Sequence, residues 1–499
     1  MVAKTPPRGL PEVLVSTSET SGAVRRMVKR GELRKIGPRL YTPNQTDAPE
    51  IIVGRNLWQV IALLFPGAVV SHRTALTQKP TPGGTVFLTG AYERIVRLPG
   101  ATVRILKGPG PLEGDNGYFG ALYMASESRA LLECLRFSRV RSSEASVVST
   151  TELETILERR LSFKGEIWIN SIRDRARAIA PDLGLQEAYA KLDRIVGALL
   201  GTRKARMHAP TAIARAAGVP YDAVRLERFT RLADALRLWP SVDRPDPVIR
   251  GPSFQNLAFF DAYFSNFIEG TEFEIEEALE IVFENRIPAA RPADAHDVLG
   301  TFRLVSSSHE MGQSAADLAR DFPAFRAMLE SRHETILHGR PETQPGRFKE
   351  VVNRAGDTVF VHPELLVGTM SRGLEIMPSL PDPFHRAVYM MFLISETHPF
   401  NDGNGRLARA MMNAELVSGG QRRLLIPTAF RGDYIAGLRR LSNQDDPKAL
   451  IQVLDFAQRF TAAVDFGHLA AAQRVLTQCG AFQSGDEARL RMPRPAAGL

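Results

Sequence analysis

Residues 398–409 read HPFNDGNGRLAR, and nearly every residue type in that stretch suits a phosphate-handling site. His398 leads a tight loop, where a base could take a proton from an incoming hydroxyl. Asp402 is a hard oxygen ligand of the kind Mg²⁺ takes when it also holds substrate phosphates. Gly403 and Gly405 let the backbone approach a ligand closely and take φ > 0 at little cost. The N–H groups of that turn feed a helix expected to start near Arg406, and together they form an anion cradle. Arg406 and Arg409, at i and i+3, share a helix face and can both reach a polyphosphate.

The scaffold that must hold this loop reads as helical. FQNLAFFDAYFSNFIEG (254–270), EIEEALEIVF, RAVYMMFLISE, RLARAMMNAELVSGG and YIAGLRRL all carry apolar residues at helical spacing. The exception is PGRFKEVVNRAGDTVFV at 345–361, two β-prone runs flanking Arg354-Ala355-Gly356-Asp357 that read as a hairpin. A Pro- and Asp-punctuated linker, WPSVDRPDPVIRGPS at 239–253, cannot sustain a helix and ends an N-terminal region near 240. That region opens with SGAVRRMVKRGELRKIGPRLYTP, which predicts a helix over about 21–31 and two short strands around Gly37-Pro38. Arg25, Arg26, Lys29, Arg30, Arg34, Lys35 and Arg39 crowd into it. The basic, Pro-containing tail ARLRMPRPAAGL is expected to be disordered.

At 499 residues the chain has room for two to four domains, each with a substantial core. A net charge of +8 and a pI of about 9.6 fit an acidic partner such as DNA, but only weakly, since net charge reports on association and not on fold. Cys134 and Cys479 suggest neither a disulfide framework nor a zinc site, so a reducing cytosol is the simple reading. The strongest apolar run, LWQVIALLFPGAVV at 57–70, is too short to span a bilayer and is broken by Pro66, which predicts a core helix. With no signal-peptide pattern at the start, the protein is expected to be soluble, cytoplasmic and without a membrane partner. His333, Glu334 and His338 form HExxxH, one residue too wide for a zinc-binding pair on one face, and read as surface helix residues. His309 and Glu310 likewise read as solvated.

HPFNDGNGRLAR matches the pattern HxFx(D/E)GNGRxxR without a mismatch, and on it the chain resembles the Fic (Fido) family. The resemblance implies an all-α bundle at 336–465 with the signature at a loop-to-helix junction and a β-hairpin flap over it. Most members transfer AMP from ATP to a Ser, Thr or Tyr hydroxyl of another protein. Carried over, His398 is the general base, Asp402 holds Mg²⁺, and Gly403, Asn404 and Gly405 orient phosphate oxygens. Arg406 then binds the β-phosphate and Arg409 the γ-phosphate. Tyr434 falls near the nucleotide base in the family, or is simply an amphipathic-helix tyrosine. Thr358, Val359, Phe360 and Val361 would align a target segment by strand addition.

FSNFIEG at 264–270 matches the family's (S/T)xxxE(G/N) inhibitory motif, within a helical region at 241–335. Ser265 and Glu269 share one helix face, and the resemblance pairs Glu269 with Arg409, displacing the γ-phosphate. By itself the motif is equally a solvated glutamate near a helix end. Some relatives phosphorylate or move other phosphate-linked groups, and the phosphorylating ones depart at the glycines that are intact here. A non-catalytic, nucleotide-sensing DNA-binding regulator is the alternative of another class.

The N-terminal unit, with VVSHRTALTQ at 69–78 and TVFLTG at 85–90, resembles the AbiEi-like antitoxin family over roughly residues 10–235. This implies a winged helix-turn-helix at 1–50, its helix in the major groove and its wing on phosphate, then a mixed α/β region at 51–240. A solvated charged helix beside an ordinary hairpin is the plainer alternative. Little chain precedes the basic helix, so the leading helix of the usual motif is expected to be short. Residues 466–499 add a C-terminal helix and tail. The whole is a multidomain, mainly α chain with ATP, an unidentified target protein and DNA as expected partners.

Overall fold

The computed structural model describes residues 10–136, 143–246, 248, 250–356, 358–380, 382–485 and 488–493. Asp357 of the expected hairpin turn and residues 494–499 of the basic tail lie outside the described residues. The chain divides between Gly218 and Val219 into two compact units.

In the first unit β1 (Leu14–Val15) precedes α1 (Ser21–Lys29), and β2 (Arg34–Gly37) and β3 (Leu40–Thr42) follow. β3 pairs antiparallel with both of the other strands. Gly31, at φ +72°, lets the chain leave α1 and turn into the hairpin. Among the described residues ahead of α1 there is a strand and no helix, so residues 10–20 supply no leading helix. Next come α2 (Pro49–Arg55), α3 (Leu57–Leu64), β4 (Val69–Val70) and α4 (His72–Thr77). β5 (Thr85–Gly90), β6 (Arg94–Leu98), β7 (Ala101–Lys107), β8 (Asn116–Gly117) and β9 (Tyr123–Met124) complete a sheet of order β6-β7-β5-β4-β9-β8. The β5–β7 and β4–β9 pairs are parallel, and TVFLTG in β5 is buried along nearly its whole length, as a strand covered on both faces must be. α5 (Glu127–Leu135), α6 (Thr150–Leu183), α7 (Gln186–Leu199) and α8 (Pro210–Ala216) pack around Leu131, Leu157, Leu192 and Val196.

The second unit starts with α9 (Ala223–Leu238), which the linker at 239–253 had placed in the N-terminal region. α10 (Pro252–Ile268), α11 (Ile275–Phe283), α12 (Pro292–Val305), α13 (Ser308–Met311) and α14 (Phe322–Leu337) follow. The hairpin β10 (Arg354–Ala355) and β11 (Thr358–Val359) then precedes α15 (Pro363–Leu374), α16 (Pro383–Thr397) and α17 (Asn404–Ser418). α18 (Arg431–Gln444), α19 (Lys448–Ala462) and α20 (Leu469–Gln478) close the unit. α9 belongs here because Phe229 packs edge-on against Tyr389 and Phe392 of α16, ring centroids 6.3 and 6.0 Å away. α16 is the central helix: Val388 through Ile394 are buried without a break. Each such side chain contributes roughly 1.5–3 kcal/mol of burial, which makes the end of α16 a fixed platform. No helix among the described residues is long and apolar enough to cross a membrane.

Candidate active site

The platform ends where the chemistry begins. His398 takes a left-handed conformation (φ 51°) and Pro399 has no N–H to continue the ladder, so α16 stops at Thr397. Further along the loop Gly403, at φ 70°, turns the chain into α17. Asn404 closes the loop: its Oδ1 accepts the Phe400 N–H at 2.9 Å and its Nδ2 donates to the Phe400 carbonyl at 2.8 Å. The buried Asn404 side chain is thus engaged in closing the loop. A Cβ on Gly403 would lie 2.7 Å from Leu337, and one on Gly405 would collide with the Glu269 carboxylate. Gly403 needs glycine for its conformation, and a side chain at either position would push Leu337 or Glu269 aside.

His398 Nδ1 lies 3.3 Å from the Ser395 carbonyl. A carbonyl only accepts, so Nδ1 carries the proton and Nε2 keeps its lone pair. Burial, helped by the nearby Lys349 charge, pulls the imidazole from its ordinary value down to about 4, against the pull of Ser395, Glu269 and Asp402. The ring is thus more firmly neutral than an unperturbed histidine. Its face is covered by Phe360 of the hairpin, centroids 3.8 Å apart.

Three residues outside the signature hold this loop. His333 is fully buried, not on the surface as expected, and stacks on Phe400 at 3.8 Å. Its Nδ1 accepts the Gly346 N–H at 2.9 Å, which leaves Nε2–H to donate to the Asp402 carbonyl at 2.9 Å. Lys349 donates from Nζ to Asn353 Oδ1 (2.8 Å) and to the Thr397 carbonyl (3.1 Å). Asn353 Nδ2 in turn donates to the Phe400 carbonyl at 2.8 Å. Burial, with the Arg225 charge beside it, pulls the Lys349 ammonium down to about 7. Glu310, expected to be solvated, lies 3.2 Å from the buried Arg332 guanidinium.

The two signature arginines are each held by an acid from an earlier helix. Arg409 donates from Nη2 to Glu269 Oε1 at 2.7 Å, from Nε to Ser265 Oγ at 2.9 Å and from Nη2 to the Ser265 carbonyl at 2.9 Å. Ser265 and Glu269 thus meet Arg409 from one face of α10. Arg406 Nη1 lies 2.6 Å from the wholly buried Asp297 carboxylate of α12 as an ion pair and donates to Asn266 Oδ1 at 3.3 Å. Asp297 also takes Arg340 Nε at 2.7 Å. Nothing local in the sequence marked Asp297, which is remote from Arg406 along the chain.

Asp402 is half-exposed, accepting the Gly403 N–H at 2.7 Å with its Oδ2 3.7 Å from Arg406. An open carboxylate on a glycine turn fits a Mg²⁺ ion that takes one or two protein oxygens and completes its shell with water and substrate phosphate. Tyr434 is 1% exposed, its hydroxyl directed at Met391 Sδ (3.5 Å) and within reach of Arg409. It is a buried tyrosine beside Arg409. In the hairpin, Thr358 and Val359 form the strand, Phe360 covers His398 and Val361 is buried.

In the first unit Arg25, Arg26, Lys29 and Lys35 are exposed or half-exposed, and Arg30 pairs with Glu32 at 2.8 Å. Arg34 departs from its expected role: its guanidinium is held by the Asn44 carbonyl (2.6 Å) and the Asp47 carbonyl.

The Fic/DOC family model matches residues 326–416. A protein adenylyltransferase Fic of Nematostella vectensis is 26% identical over 233 residues, 45% of this chain and 52% of that protein. A Fido domain-containing protein of Dictyostelium discoideum is 30% identical over 99 residues, 19% of this chain and 69% of that one. Among solved structures, a segment of Fic-1 from C. elegans is 17% identical, covers 67% of this chain and 89% of that segment, and superposes with a TM-score of 0.35. The chain spans about half the length of the Nematostella protein.

Proposed function

Because this chain belongs to the Fic/DOC family, we propose that it transfers AMP from ATP to a Ser, Thr or Tyr hydroxyl of another protein. The observation that carries the reading is His398, its Nδ1 turned to the Ser395 carbonyl, at the mouth of a glycine loop that carries Asp402 and leads into the helix bearing Arg409. The hydroxyl oxygen forms a bond to the α-phosphorus, and the bond from that phosphorus to the bridging β-oxygen breaks. Pyrophosphate leaves, and His398 Nε2 takes the hydroxyl proton. The main-chain amides of Gly403 and Gly405 orient phosphate oxygens, Arg406 the β-phosphate and Arg409 the γ-phosphate. Asp402 would hold Mg²⁺, which supplies charge neutralisation between the phosphates when bound. Thr358 to Val361 dock the target segment, with Val359 offering the exposed edge.

As the side chains stand, Glu269 occupies Arg409 and the enzyme is autoinhibited. The first unit adds DNA binding through Arg25, Arg26, Lys29, Arg30 and Lys35, in the manner of an antitoxin-like winged helix. Two buried free thiols fit a reducing cytoplasm. ATP labelled at the α- or the γ-phosphate tests the reaction. Label carried to protein from the α-phosphate alone means AMP transfer, and from the γ-phosphate alone phosphorylation. No transfer with retained DNA binding leaves a regulatory role.

A further inference from the structure

The hairpin pairs Arg354 with Val359 and Ala355 with Thr358, and the Phe360 N–H bonds the Asn353 carbonyl at 3.1 Å. Antiparallel pairs alternate between bonded and non-bonded positions, so the Val359 carbonyl points away from β10, to the outer edge of β11. That carbonyl is already met by a side chain. Arg225, in the first turn of α9, donates to it from Nη2 at 2.7 Å. The same guanidinium places Nε 2.8 Å from Oε1 of Glu396. Glu396 is 2% exposed and lies on the last turn of α16, just before His398. Its carboxylate is further satisfied by Arg228 Nη1 and by Ser442 Oγ at 2.6 Å.

We infer that Arg225 is a positioning residue for the protein acceptor: one guanidinium ties the outer edge of β11 to the helix that presents His398, and so fixes the docking strand in register with the base. The inference rests on reading residues 358–361 as the strand that docks the target. A rigid planar guanidinium suits the task, because its Nη2 hydrogen bond to Val359 and its charge contact with Glu396 lie on one group and so set the separation of the elements they join. The clamp does not close the edge, since a carbonyl oxygen has two lone pairs and can still accept from an incoming strand. Nor is Arg225 needed merely to neutralise Glu396, which keeps Arg228 and Ser442 without it. A docking strand anchored by so short a paired stretch would otherwise sample many registers, and the apparent affinity for the acceptor falls by the fraction of the time that the competent register is populated.

The test uses the full chain carrying Glu269→Gly as enzyme and the full chain carrying His398→Ala as acceptor, with α-labelled ATP. Adding Arg225→Met to the enzyme keeps the apolar stem and removes the fork. The acceptor KM is expected to rise at least tenfold, with kcat and the affinity for a fluorescent ATP analogue each within about twofold. In parallel, amide hydrogen exchange over 353–361 is expected to speed up at least tenfold in Arg225→Met, with α16 and α17 unchanged. An unchanged acceptor KM, or ATP affinity falling in step with it, would overturn the inference. If the parent enzyme modifies no acceptor, the adenylyltransferase reading fails on its own. The exchange measurement then decides: an unaltered hairpin in Arg225→Met refutes the clamp, and a loosened one upholds it.

Discussion

Phe360 lies flat on His398, with ring centroids 3.8 Å apart and planes within 5° of parallel. The stacking joins the hairpin to His398 and excludes water from one face of the imidazole. It is one reason burial dominates the shift of His398 to about 4.

A depressed imidazole keeps its base form as pH falls. With Glu269→Gly as the active form, kcat/KM should hold its plateau from pH 7 to 5.5. An unperturbed imidazole near 6.5 would lose about tenfold over that span. Phe360→Ala should move the acidic limb up toward 6.5 by letting water reach the ring. A parent enzyme whose rate already falls around 6.5 would show that the ring is solvated in the working state.

Asp297 is the shared buried counter-ion of Arg406 and Arg340. Asp297→Ala takes the buried counter-ion from Arg406 while Arg340 keeps Asp294, and removing one partner of a buried pair costs about 3–5 kcal/mol. Asp294→Ala removes only the partly exposed partner of Arg340, a loss of about 0–1 kcal/mol. Urea midpoints of the two variants should differ accordingly, and equal midpoints would contradict the assignment.

For the basic face of α1, replacing Arg26, Lys29 and Arg30 by alanine should weaken duplex binding and flatten its salt dependence. The slope of log K against log[salt] should shrink by about 0.9 for each phosphate left without its cation. Arg34→Ala should instead destabilise the loop at Asn44–Asp47, visible in thermal melting. No binding by the intact protein at low salt would remove DNA as a partner.

The local signals were legible. Helical spacing found α10, α11, α16, α17 and α18, the β-prone runs found the hairpin, and the signature fixed where α16 ends. Glu269 and Ser265 could be read as one helix face, and they meet Arg409 from that face. What stayed hidden was pairing across long separations. No periodicity links Asp297 to Arg406 or Arg225 to Val359, because such partners are chosen by packing. His333 was within reach: Phe325, Leu329, His333 and Ile336 run at helical spacing, so the histidine continues a buried stripe. The contacts of Asn404 with Phe400 and the burial of Tyr434 beside Arg409 were hidden for the same reason, since packing sets them and spacing does not.

The central claim is that a neutral His398 acts once Glu269 leaves Arg409. A charge-assisted hydrogen bond is worth roughly 1.5–3 kcal/mol, so removing it should raise productive ATP binding by about 10–150-fold. The most direct measurement is transfer of α-label from ATP to protein by Glu269→Gly, with and without His398→Ala, at equal protein, ATP and Mg²⁺. A sharp rise is predicted in the single variant. In the double variant transfer should fall by about 10²–10⁴-fold, with ATP binding nearly intact. A folded Glu269→Gly protein that transfers no faster than the parent, or a double variant that stays active, would contradict the claim.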